Sequence, residues 1–338
     1  MEDPNPKRRR RRPRRRRKTQ QDAQRQPGAA TRPTRKPTNG RGGGRGGGGG
    51  GGNGGTPRAV PKGQLPPNLV YGINPVAVAL ELGQLKTLFY DKGRQSERLQ
   101  HIHAQAQDDH VEIRPLQRQG WSRILSSELH QGIAGMLADQ PRAYLEEVVV
   151  EAGDNSCILV LDRVQDPQNL GAVLRSAAAT GVDAVVLPKA GGCGITPAVH
   201  KASAGLSLMV RVVEDENLAQ AISFLKEHGY WAIGCESSEG EDATTFEFPE
   251  KRVIVMGNEA EGMRRLTRES CDYLVRIPMD SGVESLNISV ATGVILYLAK
   301  ADLARAAWEE NNAEENGEPA VTEAEPAPPA IDDPVSEE

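Results

Sequence analysis

The 338-residue chain has no apolar run long enough to cross a bilayer, and its basic N-terminus lacks the apolar core of a secretory signal. The expected class is therefore a soluble, cytoplasmic protein with no membrane partner. Cysteine is scarce: Cys157, Cys193, Cys235 and Cys271 are widely spaced, with no Cys-x-x-Cys pair. That usage favours reduced, buried thiols over a disulfide framework or a zinc site. Several nucleotide and hydrolase signatures are also missing. There is no G-x-x-x-x-G-K-[ST], which argues against a P-loop ATPase, and no G-x-G-x-x-G follows an apolar strand. Gly191, Gly192 and Gly194 do follow one, at the wrong spacing for a dinucleotide fingerprint. Ser203 lies between two alanines, without the glycine frame of a nucleophile elbow.

Charge of one sign is scarce at one end and missing from the other. Residues 1–62 carry 19 Lys and Arg against 3 Asp and Glu, and residues 309–338 carry 11 acidic residues and no Lys or Arg. An overall formal charge of −5 thus hides a strongly basic arm. The run from Lys7 to Lys18 is nearly all arginine and Gly42 to Gly52 nearly all glycine, so this arm has too little apolar surface to offset its ordering entropy. It reads as a disordered electrostatic arm for RNA phosphates, with an address signal or a solubilising tail as the alternatives. The Glu, Pro and Ala at the other end read as a disordered acidic tail.

What remains is α/β in pattern. Leu69–Tyr71, Thr87–Tyr90 and Val111–Ile113 read as strands, with helices over Pro75–Leu82 and Ser96–Ala106, a small domain within residues 63–143. His101 and His103 fall on different faces of the second helix, which argues against a metal site. A linker over 144–156 follows, with Glu146–Glu151 as a further strand. From 157 to 308 the alternation strengthens, with apolar strands at Ile158–Leu161, Ala184–Leu187, Leu208–Val213, Trp231–Cys235, Val253–Met256 and Leu274–Ile277. Helices are expected over Leu170–Thr180, Pro197–Ala204, Leu218–His228 and, on a broad apolar stripe, Leu286 to Trp308.

Three loops after strands carry the polar residues. In the first, Asp166 and Pro167 end a strand, Asn169 stands as the N-cap of the next helix, and Gly171 leaves room for another backbone or a ligand. Arg175 lies roughly 9 Å along that helix and about a third of a turn off Asn169. It is either a solvated surface arginine or a side chain returning to the same pocket. The second loop runs from Gly257 to Gly262, whose glycines would admit a ligand to the backbone. The third runs from Pro278 to Asn287, where Ser285 or Asn287 either caps the long helix or holds substrate. In open α/β sheets ligands bind beyond the carboxyl ends of strands, so the three loops could line one crevice.

In order, three sets of residues resemble the three motifs of the SpoU (TrmH) family: Asp162, Asp166, Pro167, Asn169, Gly171 and Arg175; Met256 to Glu259 with Gly262; and Ile277, Pro278 and Met279 with Glu284 to Asn287, Ser289 and Ala291. Val70 to Val76 and His130 to Ala134 resemble the branch acting on a guanosine of 23S rRNA. The resemblance covers about Asn68 to Leu303 and leaves both charged ends outside. It implies an S-adenosylmethionine-dependent RNA ribose 2′-O-methyltransferase of the SPOUT class, without a metal. Its parallel sheet would be closed by a C-terminal trefoil knot, preceded by an L30e-like RNA-binding domain, and the molecule would be a homodimer. Gly257, Ile277 and Leu286 match positions whose backbones hold the cofactor. Arg175, Asn169, Glu259, Ser285 and Asn287 match the catalytic positions. Either rRNA or tRNA would be the substrate; a non-catalytic RNA-binding or ribosome-assembly protein is the reading from another class.

Overall fold

The computed structural model describes residues 65–94, 96–117, 120–121, 125 and 130–301. The basic arm, the acidic tail and the end of the helix expected to reach Trp308 lie outside these residues. The first lobe is built from β1 (Leu69–Tyr71), α1 (Ile73–Glu81), β2 (Leu85–Asp91), α2 (Glu97–Asp108), β3 (Glu112–Leu116) and β4 (Ile133–Leu137). Its sheet order is β1-β4-β2-β3, with β2 and β3 parallel and the other pairs antiparallel. The Ser96 hydroxyl caps α2 by accepting from the Leu99 amide, and one face of the sheet is sealed by Val76, Leu80, Leu88, Ile102 and Ile133. The central strand β4 is absent from the sequence expectation, because its Ala134-Gly135 centre has little β preference.

The second lobe holds a seven-stranded, all-parallel sheet. Its strands are β5 (Ser156–Leu161), β6 (Ala184–Pro188), β7 (Val212–Asp215), β8 (Trp231–Cys235), β9 (Glu241–Asp242), β10 (Lys251–Met256) and β11 (Tyr273–Arg276), in the order β7-β6-β5-β10-β8-β11-β9. The period of two along a strand sends alternate β5 residues to opposite cores. Leu159 and Leu161 pack with α4 (Pro167–Thr180) and with α8, which is helical from 288 through 301. Ile158 and Val160 pack with α3 (Leu145–Glu151) and α6 (Leu218–Glu227). Two short helices, α5 (Pro197–Ala202) and α7 (Arg265–Glu269), complete the lobe.

Sequence order reverses between β5 and β10. From β5 the chain steps outward to β6 and β7, and the remaining strands lie on the other side of β10. Because Leu161 pairs with Met256, the loops after these two strands leave the sheet side by side. This is the crevice that an open parallel sheet offers a ligand.

Several local expectations are corrected. Residues 145–151 form a helix rather than a strand: Leu145 and Val148 are buried at three-residue spacing while Val150 is 84% exposed, and Glu146 and Glu147 sit in the first turn, where acidic groups favour a helix start. The strand expected from Leu208 begins at Val212, because Leu206–Leu208 is a 3₁₀ turn set by left-handed Gly205. Pro167 does not delay the α4 helix. It occupies the first helical position, where its missing N–H costs nothing, and Asp166 is the cap, accepting from Gln168 N at 3.2 Å. The cysteines are free; Cys157 is buried and the other three are partly buried. No helix among the described residues is long and apolar enough to cross a membrane.

Candidate active site

Asp162, the first residue after β5, is wholly buried, and its carboxylate accepts from the Arg264 backbone N–H and from Arg264 Nε, both at 2.8 Å. It thereby ties the end of β5 to the segment following the second loop. That loop closes on itself: Asn258 and Gly262 exchange backbone hydrogen bonds at 2.9 Å, and Asn258 Nδ2 donates to Arg163 O at 2.9 Å. A Cβ on Gly257 would collide with the Gly262 and Met263 backbones, so the room this glycine provides is used by the loop itself rather than left for a ligand.

The three loops meet at one carboxylate oxygen. Glu259 Oε1 accepts from Asn169 Nδ2 at 2.8 Å, from Asn287 Nδ2 at 2.8 Å and from the Ile288 amide at 3.2 Å. Asn287 Nδ2 also donates to Asn169 Oδ1 at 3.0 Å. Asn169, displaced from the capping role by Asp166, spends its side chain on this network from the first turn of α4. Asn287 takes the capping role expected of the third loop. Its Oδ1 caps α8 by accepting from Ser289 N at 2.9 Å and Ser289 Oγ at 2.6 Å, while its Nδ2 joins the network. Charge-assisted bonds of this kind are the stronger ones, so Glu259 fixes how α4, the 257–262 loop and the start of α8 sit together.

Arg175 stands apart from that lock. It is exposed on α4 and has no hydrogen bond or ion pair among the described residues, leaving its five donors free. Ser285 is likewise exposed and outside the network, and Leu286 is 37% exposed, while Ile277 packs half-buried against the core. Gly171 sits where a Cβ would meet Ala202 and the Val199 carbonyl, so its bareness admits α5 rather than a ligand. Asp162, Asn258 and Arg264 carry roles that sequence reasoning did not assign. The available signal was an aspartate directly after four apolar strand residues, a position where only a paired carboxylate is tolerated.

The third loop offers open backbone donors to a ligand. Among the described residues, only Val283 of residues 279–286 donates its backbone N–H, to Asp280 O at 3.2 Å. The loop also exposes Val283 and Leu286 beside those amides, a donor set with apolar flanks that fits a nucleoside better than a metal ion or a polyphosphate. Thiol chemistry is disfavoured: burial pushes Cys157 up to about 11 and Cys271 up to about 12, and raises Cys235 as well. No group of three or more His, Cys, Asp or Glu side chains among the described residues is arranged to hold a metal.

The sequence profile of the SpoU rRNA Methylase family matches residues 156–297, and that of RNA 2′-O ribose methyltransferase substrate binding matches residues 69–142. A 23S rRNA (guanosine-2′-O-)-methyltransferase RlmB from Xanthomonas axonopodis pv. citri is 38% identical over 235 residues, covering 68% of this chain and 94% of the relative. The protein of the same name from Neisseria meningitidis serogroup B is 36% identical over 230 residues, covering 67% and 92%. Among solved structures, the SpoU methyltransferase AviRb from Streptomyces viridochromogenes, in complex with AdoMet, has a TM-score of 0.60 at 22% identity, over 70% of this chain and 90% of that one. An AdoMet-bound rRNA methyltransferase from Sinorhizobium meliloti gives 0.59 at 24%, over 70% and 87%. The structural likenesses establish a shared α/β fold. The profile matches and the 38% identity to a relative that the chain spans almost end to end show that it belongs to the SpoU rRNA methylase family.

Proposed function

We propose that this protein is an S-adenosylmethionine-dependent enzyme that methylates the ribose 2′-hydroxyl of a guanosine in 23S rRNA. The observation that carries this reading is the convergence of Asn169, Glu259 and Asn287, from three separated motifs, at the carboxyl ends of β5 and β10. It occurs in a chain 38% identical to a protein named for that reaction. When bound, S-adenosylmethionine supplies an electrophilic sulfonium methyl. The backbones of Gly257, Ile277 and Leu286 would hold it; for Leu286 this is supported by the open amides of the third loop.

A ribose hydroxyl is a poor nucleophile, so the protein must align it and stabilise the charge that grows on its oxygen. Arg175 takes that task. A guanidinium holds its proton throughout the working range of proteins, so its contribution is a fixed positive donor to the developing alkoxide or the adjoining phosphate, and the proton itself leaves to solvent. Glu259, with Asn169 and Asn287, keeps the loops in register, and Ser285, exposed beside Leu286, contacts substrate.

The same reading assigns an L30e-like RNA-binding domain to residues 63–143, a linker to 144–156 and a knotted catalytic domain to 157–308, with charged ends at 1–62 and 309–338. It also implies a cytoplasmic homodimer. Val290 and Tyr297, on one stripe of α8 and 52% and 67% exposed, supply apolar surface for a second copy next to the site. The decisive test is to map ribose methylation in rRNA and tRNA from cells lacking the protein. Loss of one 23S guanosine 2′-O-methyl group is expected. Loss only in tRNA would move the substrate, and no loss together with no calorimetric binding of S-adenosylmethionine would make the protein a scaffold.

A further inference from the structure

The two lobes meet through a segment that this chemistry does not use. Helix α5 and the 3₁₀ turn after it pack on β1 and α1, and Gly205 lies against Pro75 and Val78. Within this joint, Lys201 Nζ donates to Gln131 Oε1 at 3.1 Å and lies 5.9 Å from the centre of the Tyr71 ring. The ammonium rests over Gly72, in the space that a side chain at 72 would fill. Gln131 holds a left-handed backbone, φ 57°, and its Oε1 is shared with the Ile73 amide at 3.1 Å. Backbone strain of this kind persists where the surroundings require it.

What Lys201 lacks is a counter-ion. Among the described residues no carboxylate pairs with it, and a single shared amide oxygen meets one of its three protons. Partial burial lowers its pKa by desolvation. The Lys201–Gln131 bond lies at the surface, so the donors of the ammonium that this bond does not use are within reach of an anionic ligand. Exposed Asn74, at the start of α1, has no side-chain partner among the described residues and stands beside the joint.

We propose that Lys201, with Gln131 and Asn74, forms a binding site for a backbone phosphate of the RNA substrate at the joint of the two lobes. The inference rests on the RNA-methylating reading above and adds a fixed point for the strand. Helix α5 abuts α4 where Ala202 meets Gly171, and Arg175 lies one turn further along α4, roughly 6 Å on. A phosphate held at Lys201 would therefore fix the strand whose ribose meets Arg175. Phosphate contacts set register and orientation without reading sequence.

The test uses the full chain and an unmodified 23S rRNA transcript, with affinity measured across a KCl series and steady-state methylation at one salt. Lys201→Met keeps the apolar stem and removes the charge. Gln131→Glu gives the ammonium a carboxylate in place of the phosphate. Both variants should raise the KM for RNA about tenfold, the scale of one charged hydrogen bond, with kcat within about twofold. Both should reduce the slope of log K against log salt by ~0.7–0.9 and leave S-adenosylmethionine affinity unchanged. A purely structural lysine predicts the opposite for Gln131→Glu: higher melting temperature with unaltered RNA binding. Wild-type salt slopes and KM in both variants would overturn the site. A wild-type protein that binds this transcript without methylating it would instead defeat the functional reading, with the slope comparison still deciding the phosphate site.

Discussion

Three donors on Glu259 Oε1 come from Asn169, Asn287 and Ile288, residues 90, 28 and 29 positions away. Glu259→Ala would strip all three at once. Because the site is exposed, water can take over part of the bonding, so the expected stability loss is only about 1–2 kcal/mol. S-adenosylmethionine affinity should fall at least about tenfold, because α8 and the 257–262 loop would lose their common anchor. Calorimetric titration checks this, and unchanged affinity would separate the network from the cofactor loops. Arg175→Lys tests the planar fork. It preserves charge but not two-pronged geometry, and turnover should fall by about a hundredfold with little change in melting temperature. Near-wild-type turnover would show that a point charge suffices. Sequence made the identities of these residues legible but not their roles. Asn169 has the look of a helix cap because caps are local, whereas the partner that claims its side chain is set by the pairing of β5 with β10.

At the scale of elements, the expected strands hold best where burial on both sides makes the residues uniformly apolar, as in β5, β8 and β10. The expectation fails where local and tertiary signals part. The Val148 to Val150 run favours a strand by composition but folds as α3, since only one of its faces finds a core. Helix α5 has a consequence for pH. His200 is buried at its C-terminal end with Nδ1 2.9 Å from Ser207 Oγ, and Ser207 Oγ accepts from Ser203 Oγ at 2.8 Å. Burial pushes the imidazole down to about 4 from its ordinary 6.5. The unfolded chain therefore binds the proton more readily than the folded one, so this contribution to stability is intact above about pH 6.5 and is lost as pH falls toward 4. At pH 5 the loss should be about 2 kcal/mol. Urea unfolding at pH 7 and pH 5 measures it, and the His200→Gln protein should show a difference smaller by that amount. An equal pH dependence in both would place the acid-sensitive group elsewhere.

For the whole molecule, the alternation of strands and helices made an α/β class legible, but the order β7-β6-β5-β10-β8-β11-β9 was not, because neighbours in a parallel sheet are chosen by crossovers that leave no local mark. Charge was legible at this scale and points to a division of labour. Residues 63–308 carry 22 Lys and Arg against 32 Asp and Glu, so this part of the chain is net acidic and its overall charge does not favour attraction to RNA. On the proposed reading, the 19 basic residues before residue 63 would supply the long-range attraction, with Lys201 and Arg175 as individual contacts once RNA has arrived. Deleting residues 1–62 should therefore lower rRNA affinity and flatten its salt dependence by several units of slope, since each lost phosphate contact removes ~0.7–0.9. S-adenosylmethionine affinity should not change, because the loops that meet at Glu259 begin about a hundred residues later. Filter binding of the 23S transcript across a salt series compares the two proteins. If the truncated chain keeps the full slope, the counter-ions are released by the folded lobes and the arm serves solubility alone.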